Sequence, residues 1–324
     1  MVNVPTVAGS QDNTALGRVL MHEHVFVLNQ EYEVNYPESW DHAVRIDDAV
    51  AKLDALKAAG IDTIVDLTVL GLGRDIRRVR EVAERTEVNI IAATGFYTFT
   101  ELPTYLRLRG PGRLVDVEEP MVDMFVRDLT EGIAGTGIRA AILKCATDEP
   151  GVTPDVERVL RSVARAHVET GAPISTHTDP HSERGLEQQQ IFAEEGVDLG
   201  RVIIGHSGDT DDLDYLQRVL DNGSYLGMDR FGLDSRLDFD RRVKTVVDLI
   251  ERGYGNRLVL SHDTSCHSSN FPADYRAKNL PNWRFGHISE DVLPALRSAG
   301  VTEEQIDAML VDTPRAIFAA APQV

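Results

Sequence analysis

The strongest constraint on this chain is an alternation. Eight short apolar runs are separated by longer amphipathic stretches. The runs are Arg18 to Phe26, Thr63 to Val69, Asn89 to Thr94, Ala140 to Cys145, Pro173 to His177, Arg201 to His206, Ser224 to Asp229 and Arg257 to His262. The stretches between them carry helical spacing. Asp47 to Ala59 places Val50, Leu53 and Leu56 on one face, and Arg241 to Arg252 does the same with Val243, Val246, Val247 and Ile250. Thr153 to Thr170 has Pro154 in its first turn, and Thr302-Glu303-Glu304-Gln305 reads as a capping box. Eight strands, each followed by a helix, predict a closed (β/α)8 TIM barrel of the α/β class. A doubly wound open sheet is the alternative, but Gly71-Leu72-Gly73 lacks the third glycine of its phosphate turn. No linker or repeat divides the chain, so residues 1–324 read as one domain.

Charge narrows the partners. The chain has 52 acidic residues against 33 basic ones, a formal charge of −19. That repels a phosphate backbone and an anionic bilayer, so nucleic acid and membrane are not expected partners. No apolar run approaches the ~20 residues of a spanning helix. Met1 to Asp12 lacks the basic and apolar parts of a secretory signal, which makes a cytoplasmic location the expectation. Cys145 and Cys266 fit no disulfide framework and read as free thiols.

The chemistry lies at the strand ends. His22 and His24 are two apart at the end of the first strand and so share a face. Strand 4 ends in Lys144, strand 5 in His177, strand 6 in His206, and strand 8 runs into Asp263. In a barrel these ends meet at one mouth. Four imidazoles and a carboxylate suit zinc or a similar first-row divalent metal. Five or six ligands overfill one catalytic zinc, and they fit two metals ~3.5–4 Å apart. An ammonium at Lys144 beside two dications is disfavoured. The free amine could bind a metal, or react with carbon dioxide to form a bridging carbamate.

These residues resemble the binuclear centre of the phosphotriesterase family in the amidohydrolase superfamily. The resemblance runs from Gly17-Arg18-Val19-Leu20 to Asp312-Thr313-Pro314-Arg315. It implies His22, His24 and Asp263 on one metal, His177 and His206 on the other, and N6-carboxylated Lys144 with a hydroxide between them. It implies zinc as the metal, with cobalt, iron or manganese as alternatives, and a homodimer. Within the family the chain resembles the phosphotriesterase-like lactonases. Gly95-Phe96-Tyr97 puts Tyr97 where those enzymes carry a tyrosine beside the metals, and Gly227-Met228-Asp229-Arg230-Phe231-Gly232 resembles their strand-7 segment. Tyr97, Arg230 and Asp263 are thereby implied in catalysis. One departure is the polar segment Thr264 to Phe271, since some lactonases carry a bulky aromatic near Asn270.

The implied function is hydrolysis of N-acyl homoserine lactones or related lactones, of the quorum-quenching type, with weak phosphotriesterase activity. The alternatives are a dedicated organophosphate or aryl ester hydrolase, and a non-catalytic metal-binding barrel. Two long connections, Tyr97 to Glu118 and Asp263 to Ser289, are expected to carry function, and the aromatic residues of the second to form a pocket wall or a subunit contact. His42, His167 and His287 read as structural or surface groups, and His181 as at most a support for the site. Glu23 reads as structural, and His262 as facing the helices. Alternation cannot turn both Asp229 and Arg230 inward.

Overall fold

The computed structural model describes residues 2–272 and 274–319. The reading of one domain over 1–324 also takes in Met1, Ala273 and 320–324, which lie outside the described residues. The strands in chain order are β1 (Asn3–Thr6), β2 (Gly9–Asp12), β3 (Val19–Val27), β4 (Thr63–Asp66), β5 (Asn89–Gly95), β6 (Ile142–Ala146), β7 (Ile174–His177), β8 (Val202–Ile204), β9 (Tyr225–Met228), β10 (Leu258–Leu260) and β11 (Ser265–Ser268). β1 and β2 form a separate antiparallel hairpin. The others form one parallel sheet in the order β10-β9-β8-β7-β6-β5-β4-β3-β11. All eight expected strands are present, and the fold is the expected (β/α)8 barrel.

The eighth barrel strand is broken in two. β10 pairs with β9, the backbone turns through a left-handed Asp263 (φ 55°), and β11 pairs with β3. Asp263 N–H donates to the His22 carbonyl (3.0 Å) and His24 N–H to the Thr264 carbonyl (2.9 Å), which closes the ring. The segment expected as plain loop therefore begins as a strand. Its polar face fits the position, because it lies at the mouth rather than in the apolar middle.

Side chains sort by alternation. Val19, Met21, Val65, Ile91, Ile142 and Val259 fill the barrel, joined by Val4, Leu16, Ile317 and Phe318. Leu20, Ile64, Ile90, Leu143, Ile204 and Leu258 point outward to the helices. Full burial of each such side chain contributes roughly 1.5–3 kcal/mol, so the framework rests on apolar packing. The helices begin on side-chain caps. Asp41 accepts from Val44 N–H at the start of His42–Ala58, and Asp238 from Arg241 N–H at the start of Phe239–Glu251. Both begin before the apolar spacing does, which is why the expected starts fall late. Thr153 caps Pro154–Thr170, and the capping box at Thr302 and Gln305 is formed. Among the described residues, no helix is long and apolar enough to cross a membrane. Both cysteines are buried and free.

Candidate metal centre

A bulge aims the first two histidines. β3 pairs Leu20 with Ile64 but Glu23 with Asp66, so one extra residue is inserted between them. Simple alternation from Val19 and Met21 would send His22 and His24 outward. The bulge resets the phase, a common device beside active sites. Glu23 then faces away, where its Oε1 accepts from His262 N–H (2.8 Å) and pairs with His262 Nδ1 (2.7 Å), and its Oε2 accepts from Thr264 N–H (3.1 Å). His262 is fully buried on the helix side, with Nε2 accepting from Ile288 N–H (2.9 Å). Both expectations hold.

All six residues expected at the centre converge. His24 Nε2 lies 3.1 Å and His22 Nε2 3.4 Å from Asp263 Oδ1. Lys144 Nζ lies 3.1 Å from His22 Nε2 and donates to the Thr176 carbonyl (3.0 Å). His206 Nε2 lies 2.9 Å from His177 Nδ1. Close approach of β7 and β8 allows this last contact, since a Cβ on Gly205 would sit 2.0 Å from the Thr176 carbonyl oxygen. His206, like Asp263, holds a positive φ (59°), a strained setting for a residue with a side chain and one found at functional sites.

The outward nitrogens fix the tautomers. Asp229 Oδ2 lies 2.7 Å from His22 Nδ1, and its Oδ1 lies 2.9 Å from His206 Nδ1 and accepts from His206 N–H (2.8 Å). His177 Nε2 meets Asp148 Oδ2 (2.7 Å), and this bond holds the Asp148 carboxyl at about 2. His24 Nδ1 meets Thr68 Oγ1 (2.8 Å), whose own proton goes to Asp66 Oδ1 (2.5 Å). Each outward nitrogen therefore carries a proton, and in a neutral ring the inward nitrogen presents a lone pair. Burial holds His22 and His206 well below the usual histidine range and brings His177 to about 4, so these three rings are neutral, the form that ligates.

This donor set fits cations. Two lone pairs face each other 2.9 Å apart at His177 and His206, and His24 Nε2 stands 3.1 Å from the Asp263 carboxylate. Such arrangements call for positive charge between them. His22, His24 and Asp263 form one close triad of ligand atoms. A second triad, His22, His206 and Asp229, is already satisfied by hydrogen bonds through Nδ1, so Asp229 supports the rings from behind. Burial and the Asp263 charge push the Asp229 carboxyl up, and cations on the two rings would keep it ionised. Burial brings Lys144 down to about 8, which makes a free amine accessible near neutral pH.

Charge partners reach Asp263 from outside. Burial opposes its ionisation, but the Arg230 guanidinium outweighs that and holds it well below the usual carboxylate range. Arg230 Nε donates to Asp263 Oδ2 (2.9 Å), and its Nη1 to Asp209 Oδ2 (2.9 Å). Asp209 is held in turn by the fully buried Arg242 (3.0 Å). β9 ends at Met228, so Asp229 and Arg230 lie past the strand and both reach the centre. Tyr97 places its hydroxyl 3.4 Å from His177 Nδ1, and burial pushes its phenol up, keeping it protonated. A cavity of about 190 Å³ opens above, walled by Val27, Leu72, Phe271 and Trp283. Aromatic residues of the long eighth connection thus form a pocket wall. Trp283 is pinned by its indole N–H on the His262 carbonyl (2.8 Å).

Four supporting residues escape the sequence reading. Asp148 follows Lys144 by four, Asp66 ends β4 with Thr68 two residues beyond it, and Asp209 follows His206 by three. Polar residues just past a strand end were the available signal. His181 is exposed and His42 lies at the surface on Glu81 (2.7 Å). His167 caps the Ala172 carbonyl (2.7 Å), and His287 pairs with Asp291 (2.8 Å). None of the four joins the centre.

Known proteins share this sequence and fold. A solved structure of the phosphotriesterase from Mycobacterium tuberculosis matches with a TM-score of 0.97 at 54% identity, covering 99% of this chain and 100% of its own. A "phosphotriesterase homology protein" of M. tuberculosis H37Rv is 56% identical over 98% of both chains. An "aryldialkylphosphatase" of Saccharolobus solfataricus is 40% identical over 98% of this chain and 100% of its own. The model of the phosphotriesterase family matches residues 2–318, nearly the full span of barrel and centre, and the chain belongs to that family of metal-dependent hydrolases.

Proposed function

We propose that this chain is a lactonase that works with two divalent ions, zinc first among them, on N-acyl homoserine lactones or related lactones. In this reading His22, His24 and Asp263 hold one ion and His177 and His206 the other. Lys144, carboxylated on Nζ, lies between. Bound there, the ions supply Lewis acidity and a water ionised near neutral pH. The observation that carries the reading is the convergence of four imidazole nitrogens with Asp263 and Lys144 beneath one pocket.

The protein's own groups handle proton and substrate. Asp263, with Oδ2 held by Arg230, takes the proton of the attacking water and delivers it to the leaving ring oxygen. Tyr97 donates a hydrogen bond to the developing oxyanion. Val27, Leu72, Phe271 and Trp283 receive the acyl chain and exclude water. A tetrahedral phosphorus centre resembles the intermediate, so weak phosphotriesterase activity belongs to the same site. A homodimer and a cytoplasmic setting complete the reading.

The second reading is a dedicated organophosphate or aryl ester hydrolase, favoured by the 40% identity to the aryldialkylphosphatase. Kinetics on metal-loaded protein separate the two. A panel of lactones of varied ring size and acyl length is run beside paraoxon-like triesters. Higher kcat/KM on a lactone supports the proposal, and higher kcat/KM on the triesters overturns it.

A further inference from the structure

The barrel mouth holds a cation with no partner. Arg45 lies in the first turn of the helix His42–Ala58 and is half-buried. Among the described residues, no carboxylate pairs with its guanidinium, and its Nε is shut off from solvent without an acceptor. Arg74, Arg78, Arg158 and Arg230 each meet a carboxylate within 3 Å. In a chain of net charge −19, carboxylates are not scarce. A cation in the first turn of a helix also opposes the helix dipole. Local stability therefore does not explain Arg45.

The surroundings are those of an anion site. Arg45 is the one ionised side chain on the wall of a cavity of about 380 Å³, which also presents Asn29, Tyr32 and Asn270. Behind it, a cavity of about 260 Å³ brings Arg45, Lys52 and Arg276 together with a single carboxylate, Asp48. Asp48 is taken by Lys52 (2.7 Å), while among the described residues Arg276 bonds only hydroxyl and carbonyl oxygens of Thr264 and Ser265. His267 faces both cavities and registers the field. Its burial, then Arg45, Arg276 and Lys52, bring it down to about 4. Glu33, which Ser269 reaches with its hydroxyl (3.1 Å), is neutralised by Arg78 (2.6 Å). Asn270 and Phe271 line both the larger cavity and the pocket above the metal centre, so the two adjoin.

We propose that this groove binds a carboxylate or similar oxyanion carried on the substrate away from its scissile carbonyl. Arg45 is the charged contact, and the amides of Asn29 and Asn270 and the Tyr32 hydroxyl are neutral donors. A guanidinium fork suits a two-oxygen anion. The substrate class becomes lactones or esters with an anionic tail. The inference rests on the pocket over the metal centre being the hydrolytic site.

The test uses metal-loaded full-length protein and two matched substrate pairs. One pair is N-acyl homoserine lactones with a methyl or a carboxylate at the acyl terminus. The other is p-nitrophenyl esters of the same two acids. The wild type is expected to prefer the anionic member of a pair. Arg45→Gln is expected to lower the anionic-to-neutral ratio of kcat/KM by about 10-fold or more, through KM, with Arg45→Lys, which keeps the charge but not the fork, falling between the two. Calorimetry with cyclopentanone analogues of the lactone pair, which cannot be hydrolysed, reads the same ratio without turnover. No preference for the anion in the wild type, or an unchanged ratio in Arg45→Gln, overturns the groove. Turnover of the esters but of neither lactone overturns the lactonase reading alone, and the ester pair still decides the groove.

Discussion

Asp229→Asn isolates what the carboxylate behind the rings contributes. Asp229 Oδ1 serves two donors of His206, at 2.8 and 2.9 Å, and Oδ2 serves His22 Nδ1 at 2.7 Å. An asparagine keeps one acceptor, and its carbonyl oxygen goes where two donors converge, on His206. The amide NH2 then faces His22. To accept from it, His22 must move its proton from Nδ1 to Nε2, the nitrogen that lies 3.4 Å from Asp263 Oδ1 and 3.1 Å from Lys144 Nζ. A protonated Nε2 cannot ligate. Loss of such a support weakens metal binding by roughly 10- to 100-fold, about 1.4–2.7 kcal/mol. The loss should fall on the ion held by His22, His24 and Asp263 and spare the other. Competition with a chromophoric chelator at neutral pH resolves the two binding steps, and circular dichroism of the metal-free protein checks the fold. Two unchanged steps on an intact fold would refute the tautomer argument.

Other substitutions separate roles. Lys144→Ala should abolish turnover and loosen metal, bicarbonate should speed reconstitution of the metal-free wild type, and a short carboxylic acid should partly restore the variant. Full activity in Lys144→Ala excludes a bridging role. Asp263→Asn and Tyr97→Phe, at matched metal content, should damage lactone hydrolysis more than hydrolysis of an aryl phosphotriester, because an alkoxide needs a proton to leave; general-acid help of this kind is worth roughly 10²–10⁴-fold. Equal losses on both substrates would remove the proton-carrier assignment. His267 gives a pH test. Its folded value of about 4 lies below the ordinary 6.5, so between them the unfolded chain binds more protons. Its contribution to stability is complete above 6.5 and is lost as pH falls toward 4. His267→Gln should flatten that fall in chemical-denaturation curves, and parallel curves for the two proteins would contradict it.

The sequence made the inner residues of the centre legible for a physical reason. A barrel strand buried on both faces reads as an apolar run, so a histidine, lysine or aspartate at its end stands out, as at His177 and Lys144. Residues in the supporting layer lack that contrast. Asp148 and Asp209 sit in polar connections where a carboxylate is ordinary, Thr68 is one hydroxyl inside an apolar run, and only their folded contacts with a ring nitrogen or with Arg230 give them meaning. Phase is equally hidden. The bulge between Leu20 and Glu23 turns His22 inward, and no residue type announces it. β11 is not legible because Ser265, His267 and Ser268 read as loop, while their pairing with β3 depends on the kink at Asp263. The β1–β2 hairpin was missed because Val7 and Ala8 form its turn without an Asn-Gly or Asp-Gly signal.

The central claim is that one buried donor set holds two ions. Elemental analysis of protein loaded with zinc and freed of excess metal tests it most directly. The account expects close to two ions per chain, with chelation removing turnover while the apolar barrel stays folded. One ion per chain, or none, on folded protein would contradict the binuclear centre.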